Sequence, residues 1–295
     1  MNAETSQGPF LEKPGTTPTN NPLIIAHRGA SVIAPENTFA AFALAMESGA
    51  DGIELDVRLS RDGVPVVIHD ATLQRTGLRQ EAVAGMTAKQ LGEVDAGSWF
   101  NRAHPRRARE EYTRECVPAL DQVFRLFRDS DARLYVELKV GADEGFADLT
   151  RAVGQLIKEQ KLHSRTVVVS FDLAAIAQIK QIDSAIRTGA LFEPKIDLST
   201  IVRKRRMIEA AIDHAANEIL LHRSIATRGV VRLAIQGDLP VVVWTVDDPK
   251  WIGRARRLGI HALITNDPAK MLAQERFRVQ PSGCPPAGHK LTLEL

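Results

Sequence analysis

The chain is short of cysteine, of aromatic residues, of any excess of one charge and of long apolar runs, and each shortage removes a class of protein. Its two cysteines, Cys116 and Cys284, stand far apart and in no CxxC or Cys/His cluster. Neither a disulfide framework nor a zinc site is indicated, and a reducing cytoplasm suits such a chain. With 38 basic and 36 acidic residues the formal charge is +2, which offers no basic field of the kind that nucleic-acid binding draws on. No apolar run is long enough to span a bilayer, so stable membrane insertion is not expected. Residues 1–22, MNAETSQGPFLEKPGTTPTNNP, lack the basic start and apolar core of a secretory signal and are rich in Thr, Asn and Pro. They read as a flexible N-terminal tail, and residues 274–295 as a C-terminal one.

What remains is ordinary globular material, 44% apolar over 295 residues, enough for a large core or for one α/β barrel of about 250 residues. The polar chemistry concentrates between Leu23 and Asp70. Leu23 to Ala26 is a continuous apolar run, as in a strand buried on both faces, and His27-Arg28-Gly29 follows where it ends. Asn37 or Thr38 can cap a helix whose apolar positions run from Phe39 to Met46, with Gly49 closing it.

A second strand, Ile53 to Val57, carries Glu54 and Asp56 two residues apart. In an extended chain both carboxylates then point to one face, where they repel unless a cation lies between them. A hard divalent cation fits such oxygen ligands, and the plain alternative is a surface strand with its charges outward. Ser60-Arg61-Asp62-Gly63 is a turn signal before Val64 to Ile68, which ends in His69-Asp70. So short a link cannot cross over to a parallel strand, so this arm should pair antiparallel and return His69 towards the acidic pair.

From Ala71 to about Pro118 the apolar period weakens, with turns at Arg75-Thr76-Gly77 and Gly85-Met86-Thr87 and a charge-dense run from Arg106 to Glu115. An excursion of that length reads as a cap beside the site, with Trp99 and Phe100 as packing anchors and the charged run solvated. Pattern returns in a helix, Ala119 to Arg128, and a strand, Arg133 to Leu138, bearing Glu137 and followed by Lys139. Glu137 suits a third ligand for a cation held by Glu54 and Asp56. Lys139 shares its face and can meet a phosphoryl oxygen, a structural ion pair being the alternative.

Further units alternate. Strands are expected around Val168, Ala190, Leu220, Val243 and Leu263, with helices over 173–182, 198–216, 227–236 and 249–258. With the antiparallel arm set aside, eight apolar strands remain. They predict an α/β fold, a (β/α)₈ TIM barrel over residues 23–273 with an inserted segment, about 70–118, after the second barrel strand. In such barrels the strand C-termini form the catalytic face, and His27, Glu54, Asp56, Glu137, Lys139, Phe171, His222, Trp244 and Asn266 lie at or near those ends. Phe171 and Trp244 are placed to wall a pocket or simply to pack. Arg28 is placed to grip a phosphate or to form a structural ion pair, and His222 to face the site or cap a strand.

His27-Arg28-Gly29-Ala30, Pro35-Glu36-Asn37-Thr38, Glu54-Leu55-Asp56-Val57 and Asp62-Gly63 through His69-Asp70 resemble, in order, the signature of the glycerophosphodiester phosphodiesterase family. Val136-Glu137-Leu138-Lys139, Ser170-Phe171, Trp244-Thr245-Val246 and Thr265-Asn266-Asp267-Pro268 continue it, so the resemblance covers roughly Leu23 to Leu272. It implies a barrel enzyme that hydrolyses a small-molecule glycerophosphodiester to sn-glycerol 3-phosphate and an alcohol. Carried over, Glu54, Asp56 and Glu137 would hold one divalent cation, Mg²⁺ or Ca²⁺, with Mn²⁺ also acceptable to carboxylates. His27 and His69 would be the acid/base pair, His27 as base and His69 as acid in a first step that gives a cyclic phosphate. Arg28 and Lys139 would meet the phosphate, and Phe171 and Trp244 would line the glycerol or alcohol side. One departure is Asn266, where the family often has Asp directly after the Thr. Phospholipase D-like action on lysophospholipids or sphingomyelin is the alternative within the enzyme class, and a non-catalytic phosphodiester-binding module the alternative outside it. Oligomeric state is not readable.

Overall fold

In the computed structural model of the chain, residues 21–140, 146–194 and 201–279 are described. Eight parallel strands close on themselves: β1 (Leu23–His27), β2 (Gly52–Leu59), β4 (Arg133–Leu138), β5 (Thr166–Ser170), β6 (Arg187–Phe192), β7 (Glu218–His222), β8 (Val241–Trp244) and β9 (Ala262–Thr265). Each pairs with the next, and β1 pairs with both β2 and β9, which completes the (β/α)₈ barrel. The short β3 (Pro65–Val67) lies antiparallel on β2, with Val57 opposite Val67.

Alternation along each strand divides the core into layers. Ile25, Tyr135, Val167, Val169, Leu191, Leu220, Val242 and Ile264 fill the barrel interior. Ile53, Leu55, Val57, Leu134 and Val136 point outward, against helices that include α1 (Phe39–Glu47) and α4 (Leu120–Leu126). Both faces are therefore apolar except where a polar residue stands at a strand end. Thr38, rather than Asn37, caps α1, its hydroxyl accepting from the Ala41 amide.

Between β3 and α4 the inserted segment holds two short helices, α2 (Ala88–Leu91) and α3 (Ser98–Ala103), around a small apolar centre of Leu73, Val83, Leu91 and Val94. Phe100 and Tyr112 are fully buried beside Ala34 and Ala41. The run Arg106–Glu115 is thus not wholly solvated as expected: it contributes Tyr112, whose hydroxyl donates to Ile33 O at 2.9 Å.

The sequence-based expectation passes from Lys139 to Thr166 without an element, whereas the structure has α5 (Phe146–Glu159) there. Its buried Leu149, Val153 and Ile157 recur at four-residue spacing, the helical signal that was available. The remaining helices are α6 (Leu173–Ile182), α7 (Ile201–Asp213), α8 (Arg228–Gln236), α9 (Lys250–Leu258) and α10 (Pro268–Val279). The expected start of α7 at 198 and most of both expected tails lie outside the described residues, and α10 continues past residue 273 to Val279. No helix among the described residues is long and apolar enough to cross a membrane.

Candidate active site

Strand register brings the candidates together at the C-terminal rim. His27 ends β1 opposite Glu54 on β2, and Asp56 lies opposite Glu137 on β4. Glu54, Asp56 and Glu137 are all buried, and each offers a carboxylate oxygen within 4.8 Å of the others. Ile68 N donates to Asp56 O at 2.9 Å, so the β3 arm returns His69 to the same rim as expected.

Two cations share this space. Arg28 Nε stands 2.9 Å from Asp56 Oδ2, and Lys139 Nζ contacts Glu137 and lies 3.1 Å from Asp56 Oδ1. Even so, Glu54 Oε1 is buried and accepts no hydrogen bond, and Asp56 Oδ1 has the Lys139 ammonium as its ion-pair partner and no hydrogen bond besides. Three carboxylates against two cations leave one negative charge in a buried place. Burial first, then the neighbouring Asp56 charge, pushes Glu54 up to about 8, and the same two causes push Glu137 up to about 7. Burial acts in the same direction on Asp56, but Arg28 and Lys139 outweigh it and hold that carboxyl well below the usual range. Three crowded carboxylates, one with an unanswered oxygen and two reluctant to ionise, fit one hard divalent cation. The donor set does not choose which one.

Each histidine is oriented by a side chain behind it. His27 Nδ1 lies 2.7 Å from Asn266 Oδ1. The Asn266 amide nitrogen donates to Asp247 Oδ2 at 2.9 Å, and because a carboxylate can only accept, the amide oxygen must be the atom that faces His27. His27 therefore carries its proton on Nδ1, and Nε2, 3.8 Å from Glu54 Oε2, turns its lone pair into the site. His69 Nδ1 meets the Asp70 carboxylate at 2.6 Å, which leaves its Nε2 free to act. Burial lowers both histidines, His69 against the opposing pull of Asp56.

Several polar residues were not singled out by sequence. Asn37 donates to Asp56 Oδ2 at 2.9 Å, and its own oxygen accepts the Asp56 amide at 3.3 Å. Arg28 and Asn37 both hold positive φ, 56° and 59°, a conformation uncommon outside glycine, and both converge on Asp56. Gly29, at φ 80°, lies so close to α1 that a Cβ would sit 2.6 Å from Ala41 C, which explains glycine after His27-Arg28. Glu36 accepts from Arg28 Nη1 at 2.9 Å and, through both oxygens, from Arg75 of the insertion at 2.8 Å. The motif Pro35-Glu36-Asn37-Thr38 held the signal for Glu36 and Asn37. Nothing local marked Arg75 or Asp247.

The aromatic candidates form one wall. Phe171 meets Trp244 edge-on at 5.6 Å, and His222 meets the same ring at 5.3 Å. His222 Nδ1 is taken by Ser224 Oγ at 2.8 Å. Phe171 is 41% exposed, high for an aromatic side chain that serves only as packing.

Comparison with known proteins agrees with this geometry. The sequence model of the glycerophosphoryl diester phosphodiesterase family matches residues 27–270. A glycerophosphodiester phosphodiesterase of Caldanaerobacter subterraneus subsp. tengcongensis is 32% identical over 250 residues, covering 85% of this chain and 96% of that protein. The crystal structure of a glycerophosphodiester phosphodiesterase from Agrobacterium tumefaciens superposes with a TM-score of 0.69 at 28% identity, over 85% of this chain and 99% of the other. At 24% identity, an Oleispira antarctica phosphodiesterase solved with the product sn-glycerol-3-phosphate shares the fold with a TM-score of 0.74, over 87% and 97%. With a match that begins at the first rim histidine and runs through the last barrel strand, the chain belongs to the glycerophosphoryl diester phosphodiesterase family, a family of hydrolases.

Proposed function

We propose that the chain hydrolyses water-soluble glycerophosphodiesters to sn-glycerol 3-phosphate and an alcohol, with Glu54, Asp56 and Glu137 holding one divalent cation, His27 and His69 moving the protons, and Arg28 and Lys139 meeting the phosphate. The observation that carries this reading is the buried carboxylate triad, with Glu54 Oε1 left without a hydrogen bond, flanked by two histidines that present Nε2 to one rim. The cation, when bound, would turn the site's single negative charge into a single positive one and so complement a phosphodiester monoanion.

The two histidines differ in what stands behind them, and this divides their roles. His27 is backed by a neutral amide and buried, so it stays uncharged with a lone pair on Nε2. It takes the proton from a glycerol hydroxyl of the substrate, and that oxygen attacks phosphorus. Burial lowers His69 as well, but the Asp70 carboxylate behind it pulls the other way and steadies an imidazolium. Its Nε2 proton passes to the departing alkoxide, leaving a cyclic phosphate. Water then opens the ring with the roles exchanged: His69 removes the water proton and His27 returns a proton to the glycerol oxygen. Arg28 and Lys139 hold the phosphoryl oxygens throughout. Phe171 and Trp244 line the organic side of the pocket. The Oleispira complex with sn-glycerol-3-phosphate names the product this reading expects. The compartment we expect is a reducing cytoplasm, which two cysteines far apart in the sequence suit.

The test is release of glycerol 3-phosphate from glycerophosphocholine with and without excess chelator. Cation-dependent release is the expected result. Full activity in chelator removes the metal assignment, and cleavage of micellar lysophosphatidylcholine alone would move the chain to the lipid-directed reading.

A further inference from the structure

The insertion supplies one side chain that reaches both halves of the site. Arg75 donates from Nε to Asp70 Oδ2 at 2.6 Å, from Nη1 to Glu36 Oε2 at 2.8 Å and from Nη2 to Glu36 Oε1 at 2.8 Å. Its guanidinium is also 5.7 Å from the centre of the Trp99 ring, whose indole nitrogen is fixed to Ala96 O at 2.8 Å. The two carboxylates it joins come from different segments. Asp70 follows the β3 arm and its second oxygen accepts from His69; Glu36 follows β1 and also accepts from Arg28, which contacts Asp56. A single planar group therefore stands between the support of His69 and the support of Arg28.

We propose that Arg75 is a positioning residue that clamps Asp70 to Glu36 and so fixes the distance between the proton donor His69 and the phosphate-holding Arg28. The inference rests on the reading of His69 as the acid for the leaving alcohol. The barrel does not set that distance by itself: β3 pairs with β2 on one edge and with Pro118 and Ala119 on the other, and Arg58 holds the His69 carbonyl, but these contacts fix backbone and none reaches the Asp70 carboxylate. Asp70 is partly solvated, so without Arg75 it keeps only its bond to His69 and turns freely towards water. Three donors in a rigid fork are what the geometry uses, and a lysine ammonium cannot reproduce a bidentate grip together with a third bond. The insertion, in this account, completes the acid rather than merely covering it.

The experiment uses two substrates of the full-length protein with saturating Mg²⁺. Glycerophosphocholine has an alkoxide leaving group that needs a proton, whereas the p-nitrophenyl ester of glycerol phosphate releases p-nitrophenolate without one. Arg75→Ala and Arg75→Lys are expected to lower kcat on glycerophosphocholine by about 10²-fold, the scale of an ångström's misplacement of a catalytic group. KM should change little, and the loss on the nitrophenyl ester should be about tenfold smaller. Arg75→Ala combined with Asp70→Ala should lose no more than Asp70→Ala alone, since both act through His69. Equal losses on both substrates, additive losses in the double variant, or full alkyl-ester activity in either Arg75 variant would overturn the proposal. If Arg75→Ala does not fold, Arg75→Lys retains the charge and carries the same test. Failure of the wild-type chain to release glycerol 3-phosphate would instead overturn the functional reading, which keeps the two failures apart.

Discussion

The two ends of the barrel each bury carboxylates on strands, and they treat them in opposite ways. At the N-terminal end Glu218, the first residue of β7, is fully buried, and both oxygens are answered: one accepts from Arg187 Nη2 at 3.0 Å, the other from Tyr135 OH at 2.9 Å. At the C-terminal rim three carboxylates crowd within 4.8 Å with two cations between them, and the buried Glu54 Oε1 accepts no hydrogen bond. A buried charge whose lone pairs are satisfied holds a fold together, whereas one left short of partners is kept for something that arrives later. The contrast is a sharper guide to function than burial or charge alone.

Four measurements can break or sharpen that contrast. The largest effect belongs to the rim histidines: His27→Ala and His69→Ala should each lower release of glycerol 3-phosphate by roughly 10²- to 10⁴-fold, the usual worth of a positioned acid or base. Their thermal melting should stay close to wild type, since neither ring fills the core; a large loss of Tm would show that the rim is structural after all.

Substituting the two kinds of glutamate should then separate them by sign. Glu218→Ala takes the acceptor from the buried Tyr135 hydroxyl and one acceptor from Arg187, and should cost about 3 kcal/mol in denaturant unfolding. Glu54→Gln should leave the metal-free protein as stable as wild type or more so, because it removes an under-partnered acid, while weakening Mg²⁺ binding in calorimetry by about tenfold or more.

A third effect is pH dependence. Glu54 and Glu137 titrate well above the 4.5 of an ordinary glutamate, at about 8 and about 7. The folded chain then holds protons that the unfolded chain has released, so metal-free stability falls as pH rises. Burial lowers both rim histidines below 6.5, so their contribution is complete above that value. Between pH 6.5 and 8 the glutamates dominate, and Tm without cation should decline across that window. Added Mg²⁺ should reverse the decline and bind more tightly as pH rises, because it displaces protons. A metal-free Tm that rises through this window would contradict the crowding account. The smallest effect is Phe171→Ala, a half-exposed ring, expected to raise KM a few-fold with stability within about 0.5 kcal/mol of wild type.

Much of this site is legible in the chain because barrel strands are short and end in the open. His27 and Lys139 stand where an apolar run stops, while Glu54, Asp56 and Glu137 alternate with apolar residues, and residues two apart share a face whatever lies opposite. The turn at Ser60–Gly63 likewise forces β3 back on β2, which returns His69. Asn37 was legible as a candidate cap and as part of a motif, without a role at the site; Thr38 took the cap while Asn37 turned to Asp56. Asp247 and Arg75 sit in loops without period, where no spacing rule says what a side chain will face. Asn266 departs from the family's usual Asp, yet it keeps an oxygen on His27 because Asp247 receives its amide nitrogen.

By itself, then, the sequence determined the barrel, the family and the order in which the rim residues are delivered. Local period and turn chemistry are properties of neighbouring residues, and they survive unfolding as pattern. Folding in three dimensions settles which carboxylate is left short of partners, which nitrogen of each histidine looks inward, and that an arginine of the insertion bridges Asp70 and Glu36. Those facts depend on side chains far apart in sequence meeting within hydrogen-bond distance, and that distance exists only once β1, β2, β3 and β4 are in register and the insertion is packed on Phe100 and Tyr112.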